Sequence, residues 1–189
     1  MNFLEIADYI WKNSAEISFG NTNSWNPDLF TVNGNHERIP SRPGWYWFLI
    51  QKSYQDLAMI PRPRRLPSNG CNISSMTQYN QLLFSMDLLV APDNEKFLVI
   101  YNGHEKKVSN RIRSHYSLNN NLTGALGIIH YPLSTAQWKV KYFTEENFSG
   151  NINGADKDQI LGLMNSATGR CSIESAWRAK YGWPVLCKQ

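Results

Sequence analysis

Little in this sequence points to a membrane, an oxidising compartment or a disordered chain. No apolar run approaches the roughly 18 residues that a spanning helix needs. The opening Met1-Asn2-Phe3-Leu4-Glu5 lacks a basic segment ahead of an apolar one, so no secretory signal is expected. The three cysteines, Cys71, Cys171 and Cys187, are odd in number, widely spaced and form no CxxC pair. Neither a zinc site nor a disulfide framework is therefore indicated, and a reduced, cytoplasmic setting is the simplest reading. Internal repeats and long low-complexity segments are also missing. Charged residues make up only 18% against 42% hydrophobic, too little charge and too much apolar surface for a disordered tail. At 189 residues the chain can bury one sizeable core but hardly two. One soluble domain is expected, with no membrane contact.

Aromatics are plentiful at 13%, including 7 Trp and 9 Tyr. Most tryptophans (Trp25, Trp45, Trp47, Trp138, Trp177 and Trp183) are expected in the core rather than as base-stacking platforms. Lys plus Arg exceed Asp plus Glu by 19 to 15, a mild hint of an anionic partner. The distribution says more. Bases gather in Arg62-Pro63-Arg64-Arg65 and in Lys106-Lys107 with Arg111 and Arg113, whereas acids gather at Glu145, Glu146, Asp156 and Asp158.

Periodicity divides the chain into mixed elements. Phe3, Ile6, Ala7 and Ile10 sit at helical spacing, and residues 21–43, rich in Asn, Pro and Gly, read as loop. Trp45 to Ile50 and Phe97 to Tyr101 read as strands, the second ending in a tight turn at Asn102-Gly103. Pro61 to Asn69 reads as an exposed basic loop. A helix is expected over Tyr79 to Leu89, with Leu82, Leu83, Met86 and Leu89 on one face. Helices are expected also over Lys106 to Tyr116, Asp156 to Met164 and Ser172 to Tyr181. Trp138 to Phe143 alternates like a strand with one polar face.

The chemistry lies in a strand, a glycine and a basic helix. Arg111 follows Tyr101 by ten residues and precedes His115 by one helical turn. A phenol, a guanidinium and an imidazole are thereby brought near one rim, and a guanidinium can clamp two phosphate oxygens. On composition alone, Arg111 on a solvated face and Tyr101 ending a core strand is the plainer account.

Gly44-Trp45-Tyr46 and Tyr101-Asn102-Gly103 resemble the two short signatures of the GIY-YIG endonuclease superfamily. The following Val108-Ser109-Asn110-Arg111-Ile112-Arg113-Ser114-His115 is similar to that family's arginine helix. Ile173-Glu174-Ser175-Ala176-Trp177, then Gly182-Trp183-Pro184-Val185-Leu186, is similar to its glutamate helix and proline-containing exit. The resemblance covers about Pro43 to Cys187, leaving residues 1–42 as an N-terminal helix and loop extension. Three departures stand out. Trp45 and Asn102 replace the usual apolar middle residues, an insertion of about residues 53–93 separates the signatures, and Cys187 stands where many members have asparagine.

The resemblance implies an α/β (α+β) fold with a small central antiparallel sheet flanked by helices. It implies metal-dependent hydrolysis of DNA phosphodiesters, of a sequence-specific restriction type, by Tyr46, Tyr101, Arg111, His115 and Glu174. Glu174 would hold a single Mg²⁺ or Mn²⁺ through oxygen, and either Tyr46 or Tyr101 would take the proton from water. Arg62, Arg64, Arg65, His104, Lys107 and Arg113 are candidate contacts to double-stranded DNA. For His104 a solvated turn residue, and for Lys107 and the arginine loop plain solubility, are the alternatives. One site per chain suggests a homodimer for cutting both strands. A non-specific or toxin-type nuclease, or a binding module that has lost cleavage, stays open beside the leading reading.

Overall fold

A computed structural model describes residues 1–19, 25–26, 31–32, 35–36, 39–117, 125–131 and 136–188. Four strands form one fully antiparallel sheet in the order β1-β7-β5-β6: β1 (Ala15–Phe19), β5 (Gly44–Ile50), β6 (Leu98–Glu105) and β7 (Trp138–Phe143). A separate small sheet joins the two-residue strands β2 (Trp25–Asn26), β3 (Thr31–Val32) and β4 (Asn35–His36). The six α-helices among the described residues are α1 (Phe3–Lys12), α2 (Tyr54–Ala58), α3 (Ile73–Leu83), α4 (Val108–Ser117), α5 (Gly154–Asn165) and α6 (Ala167–Tyr181). The class is mixed α/β, as the patterning suggests.

Helices cover both faces of the main sheet, and this explains why all seven residues of β5 are buried. Successive strand residues point to opposite faces, so a strand buried on both sides reads as one apolar run. Tyr46, Phe48 and Ile50 pack with Tyr54 and Leu57 of α2 and with Val108 and Ile112 of α4. Trp45, Trp47 and Leu49 pack against Ile6 and Ile10 of α1, Ile160 of α5, and Ile173 and Trp177 of α6. Trp45, Trp47, Trp138 and Trp177 are core residues as expected, while the side chain of Trp25 lies outside the described residues. No helix among the described residues is long and apolar enough to cross a membrane.

Several local expectations are corrected. Strand β6 does not turn at Asn102-Gly103 but pairs with β5 as far as Glu105, because Gly103 lies opposite Tyr46 within the ladder. The helix expected over 79–89 begins earlier, at Ile73, and ends at Leu83, with a single 3₁₀ turn at Met86–Leu88. Its rotation differs too: Ile73, Thr77 and Asn80 are buried, whereas Leu82, Leu83 and Met86 are exposed. A polar anchor sets that rotation, because the Asn80 amide donates to the carbonyls of Val185 (2.8 Å) and Cys187 (3.2 Å). Residues 21–43, expected as loop, contain β2 to β4, and most of the remainder lies outside the described residues. Strand β1 has no counterpart in the sequence reading. The polar face of β7 is packed: Lys141 Nζ sits 3.9 Å over the Trp11 ring and Lys139 Nζ 4.4 Å over Phe97.

Candidate active site

The site gathers at the end of β6, the outermost strand of the sheet. Tyr46 and Gly103 are direct cross-strand partners. A Cβ at position 103 would lie 2.5 Å from Tyr46 Oη, so the missing side chain is what lets the phenol cross β6. The register of β5 with β6 shifts between Phe48 and Leu49. Simple alternation from Ile100 would put Tyr101 on the opposite face. The bulge instead places it beside Phe48, packed against the same core cluster as Tyr46. The two phenol rings stack at 6.2 Å between centroids.

Helix α4 brings in the imidazole and the guanidinium. His115 is fully buried, with its ring 4.4 Å from that of Tyr101. Its Nδ1 accepts the Leu126 backbone N–H at 3.3 Å, so the ring proton resides on Nε2 and is donated to Tyr46 Oη at 2.9 Å. Burial, reinforced by the Arg111 charge, holds the His115 pKa well below the ordinary range, which keeps the imidazole neutral. Arg111 hydrogen-bonds both phenols. Burial raises the Tyr46 pKa well above its usual value, and Arg111 pulls in the opposite direction. The Tyr101 phenol is pushed up to about 12, again chiefly by burial.

Glu174 arrives from the other layer, around the edge of β6 that no described strand extends and that the C-terminal turn meets through the Leu186 N–H to the Ile100 carbonyl at 2.8 Å. Arg178, one turn on, takes Glu174 Oε1, and the same guanidinium donates Nε–H to Asn102 Oδ1 at 2.9 Å. Glu174 Oε2 lies 3.7 Å from His104 Nε2, beyond hydrogen-bond length. Burial raises the Glu174 pKa and Arg178 opposes that shift. His104 is held below its ordinary pKa by burial first and then by Arg170, and its buried Nδ1 has no hydrogen-bond partner among the described residues. Cys187 is buried against Asn102, with Sγ 3.4 Å from Oδ1.

Tyr46, Tyr101, Gly103, His104, Arg111 and Glu174 line a cleft of about 360 Å³, with Glu105 at its side. Tyr46, Tyr101, Arg111 and Glu174 thus meet in one concavity, with His115 behind Tyr46. His104 belongs to the cleft as well, and the solvated-turn alternative for it does not hold. The remaining candidates stay outside this lining. Arg62, Arg64 and Arg65 are exposed on a segment without helix or strand, Lys107 is exposed just ahead of α4, and Arg113 is half-buried on α4. Sequence reasoning missed Arg178 and Asn102 as site residues. The i, i+4 spacing of Glu174 and Arg178 is the signal that could have found their ion pair, which is mostly buried at 15% and 16% side-chain exposure.

No group of three or more His, Cys, Asp or Glu that could hold a metal ion occurs among the described residues. The donor set at Glu174 nevertheless fits a hard divalent ion, which keeps several waters and needs only one or two carboxylates beside a phosphate. Oε2 is the carboxylate oxygen that Arg178 leaves over. No protein-family model matches the chain, and neither a curated protein nor a solved structure does.

Proposed function

We propose that the chain is a metal-dependent DNA endonuclease and that Pro43 to Cys187 forms a nuclease core of the GIY-YIG type. The observation that supports it is the meeting of two phenols, one arginine and one carboxylate in a single cleft, with a neutral imidazole hydrogen-bonded to the deeper phenol. Arg111 takes the non-bridging oxygens of the scissile phosphate and balances the charge that grows on them. Tyr46, once its own hydroxyl proton has left to solvent, takes the proton from the attacking water as its phenolate. Its oxygen already accepts from His115 Nε2–H and hydrogen-bonds Arg111, and donors aimed at a phenol oxygen favour the phenolate. His115, whose Nε2 already carries a proton and whose Nδ1 accepts the Leu126 N–H, does not take the proton itself and orients Tyr46. Tyr101 stacks on Tyr46 and holds Arg111. A Mg²⁺ or Mn²⁺ held by Glu174 would supply Lewis-acid stabilisation of the phosphate oxygens. Double-stranded DNA is the substrate and restriction-type cutting the leading role, with two copies of the chain acting together on the two strands.

One observation favours a binding module that has lost cleavage: Arg178 already occupies one oxygen of Glu174. Plasmid and phage DNA incubated with Mg²⁺, Mn²⁺ or EDTA separates the readings. Metal-dependent cutting that Glu174→Gln abolishes, with gel-shift affinity and melting temperature retained, is the expected result. A Glu174→Gln variant cutting at the normal rate would overturn the assignment. A salt-sensitive gel shift without cutting in any metal would establish the binding module.

A further inference from the structure

A second and larger cleft, of about 800 Å³, adjoins the candidate site, and Tyr101, Arg111 and Glu174 line both. Its far wall is α3, which lies in the segment separating the two signature strands. Asn72, Ser75, Met76 and Tyr79 face the cleft at the i, i+3, i+4, i+7 spacing of a single helix face. Three contacts hold this wall in place. Asn80, 1% exposed, pins the helix to the carbonyls of Val185 and Cys187. Tyr131 Oη accepts the Ile73 N–H at 3.1 Å, and the Cys71 N–H donates to the Ala125 carbonyl at 3.1 Å.

The two walls differ in chemistry. Arg111, Arg178 and Glu174 stand on the near wall and Lys188 lines the cleft near Cys71, whereas the α3 face itself carries an amide, a hydroxyl, a thioether and a phenol but no charge. An anionic phosphodiester therefore belongs against the near wall, and what meets α3 is neutral, flat and polar-edged. A nucleobase has those properties. Tyr79 is 58% exposed, and the cleft it lines is of a size that ordinarily takes a ligand as large as a nucleotide. Asn72 Oδ1 is committed to capping α3 through the Ser75 N–H, which leaves its amide protons to donate.

We propose that this cleft takes the nucleotide flanking the scissile phosphodiester, with its base stacked on Tyr79 and its edge facing Asn72 and Ser75. The assignment rests on the endonuclease reading and makes the inserted segment the part of the chain that meets the bases. Single-turnover cleavage and binding of an end-labelled duplex, with cut positions mapped on a sequencing gel, test it. Aromatic stacking under a base is worth roughly 5- to 150-fold in affinity, so Tyr79→Ala should weaken binding by that order. Tyr79→Phe, which keeps the ring face, should restore it. Leu82→Ala, on the same helix but 89% exposed and outside the cleft lining, should change nothing. An abasic site on one side of the mapped cut should weaken the unsubstituted protein by a similar factor and add little to Tyr79→Ala. Independent, additive losses, or a phenylalanine variant as weak as the alanine one, would overturn the stacking site while leaving the nuclease intact. Normal binding and cutting by Tyr79→Ala would do the same. Failure of the unsubstituted protein to bind or cut DNA overturns both readings together.

Discussion

Replacing Gly103 by alanine tests how tightly the tyrosine pair is held. The added Cβ would sit 2.5 Å from Tyr46 Oη, 2.8 Å from its Cζ and 3.2 Å from Tyr101 Cε1. Comfortable heavy-atom contacts start near about 3.5 Å, so the overlap is about 1 Å and falls mainly on Tyr46. That ring has nowhere to retreat: it is 1% exposed, with Phe48 edge-on and His115 at its tip. Overpacking of this kind costs about 1–3 kcal/mol. At about 2–4 °C per kcal/mol for a domain of this size, the melting temperature should fall by roughly 2–12 °C. A phenol displaced by about 1 Å loses its place relative to His115, and misplacement on that scale costs about a hundredfold in rate. Calorimetry and single-turnover cleavage on saturating DNA read the two effects separately. Gly162→Ala is the control. It lies in α5 with open space around the added methyl, and should raise stability by about 0.5–1 kcal/mol. If Gly103→Ala keeps both its melting temperature and a rate within about threefold of normal, the close packing at this cross-strand pair is wrong. A lowered melting temperature with an intact rate would mean that the packing is right and Tyr46 plays no part in the chemistry.

Two further outcomes follow from the same geometry. Arg111→Ala should lower single-turnover cleavage by about 10²–10³-fold, the scale of losing one electrostatic stabiliser, while Arg113→Ala on the same helix should cost much less. Equal losses at saturating DNA would mean that α4 presents the wrong face. Because the folded-state pKa of buried His115 lies well below its unfolded value of about 6.5, the unfolded chain takes up a proton first as the pH falls. Stability is then full above about pH 6.5 and falls below it, at a limiting slope of about 1.4 kcal/mol per pH unit per histidine. His104 adds to that slope, and Glu174, shifted upward, acts in the opposite sense at more acidic pH. Urea midpoints between pH 7 and pH 5 should decline for the unsubstituted chain and less steeply for His115→Asn. A midpoint independent of pH over that range contradicts a neutral buried imidazole.

The parts of the fold that could be read from sequence are those in which local pattern and burial agree. Trp45 to Ile50 is apolar at every position because helices cover both of its faces, and the breaker pair Pro43-Gly44 marks its start. Helix α1 is legible for a different reason: its capping box, Asn2 with Glu5, precedes an amphipathic stripe at Ile6, Ala7 and Ile10. Where tertiary pairing decides, pattern fails. Ala15–Phe19 carries a glutamate and a serine, and becomes a strand because β7 supplies its hydrogen-bond partner. The leucines of α3 suggested a buried stripe. The buried Asn80 bond to the C-terminal turn outweighs them and leaves Leu82 89% exposed.

The same division runs through the site. The order and spacing of Tyr46, Tyr101, Arg111, His115 and Glu174 are properties of the sequence, so the cluster could be named without coordinates. What could not be named is how residues on opposite faces of a sheet come to share one cleft. Alternation alone sets Tyr101 and Ile100 on different faces, and only the register shift beside Phe48 restores Tyr101 to the side of Tyr46. Glu174 belongs to a helix packed on the opposite layer, together with Trp45 and Trp47. It reaches the cleft because β6 is the last strand of the sheet. At that edge His104 and Asn102 meet Glu174 and Arg178 of α6, while Tyr101 packs on His115 of α4. Had another strand paired beyond β6, its backbone would stand between Arg111 and Glu174. That edge, which the C-terminal turn meets at Ile100 and Asn102 and which no described strand extends, is therefore as much a condition of the constellation as any of the side chains in it.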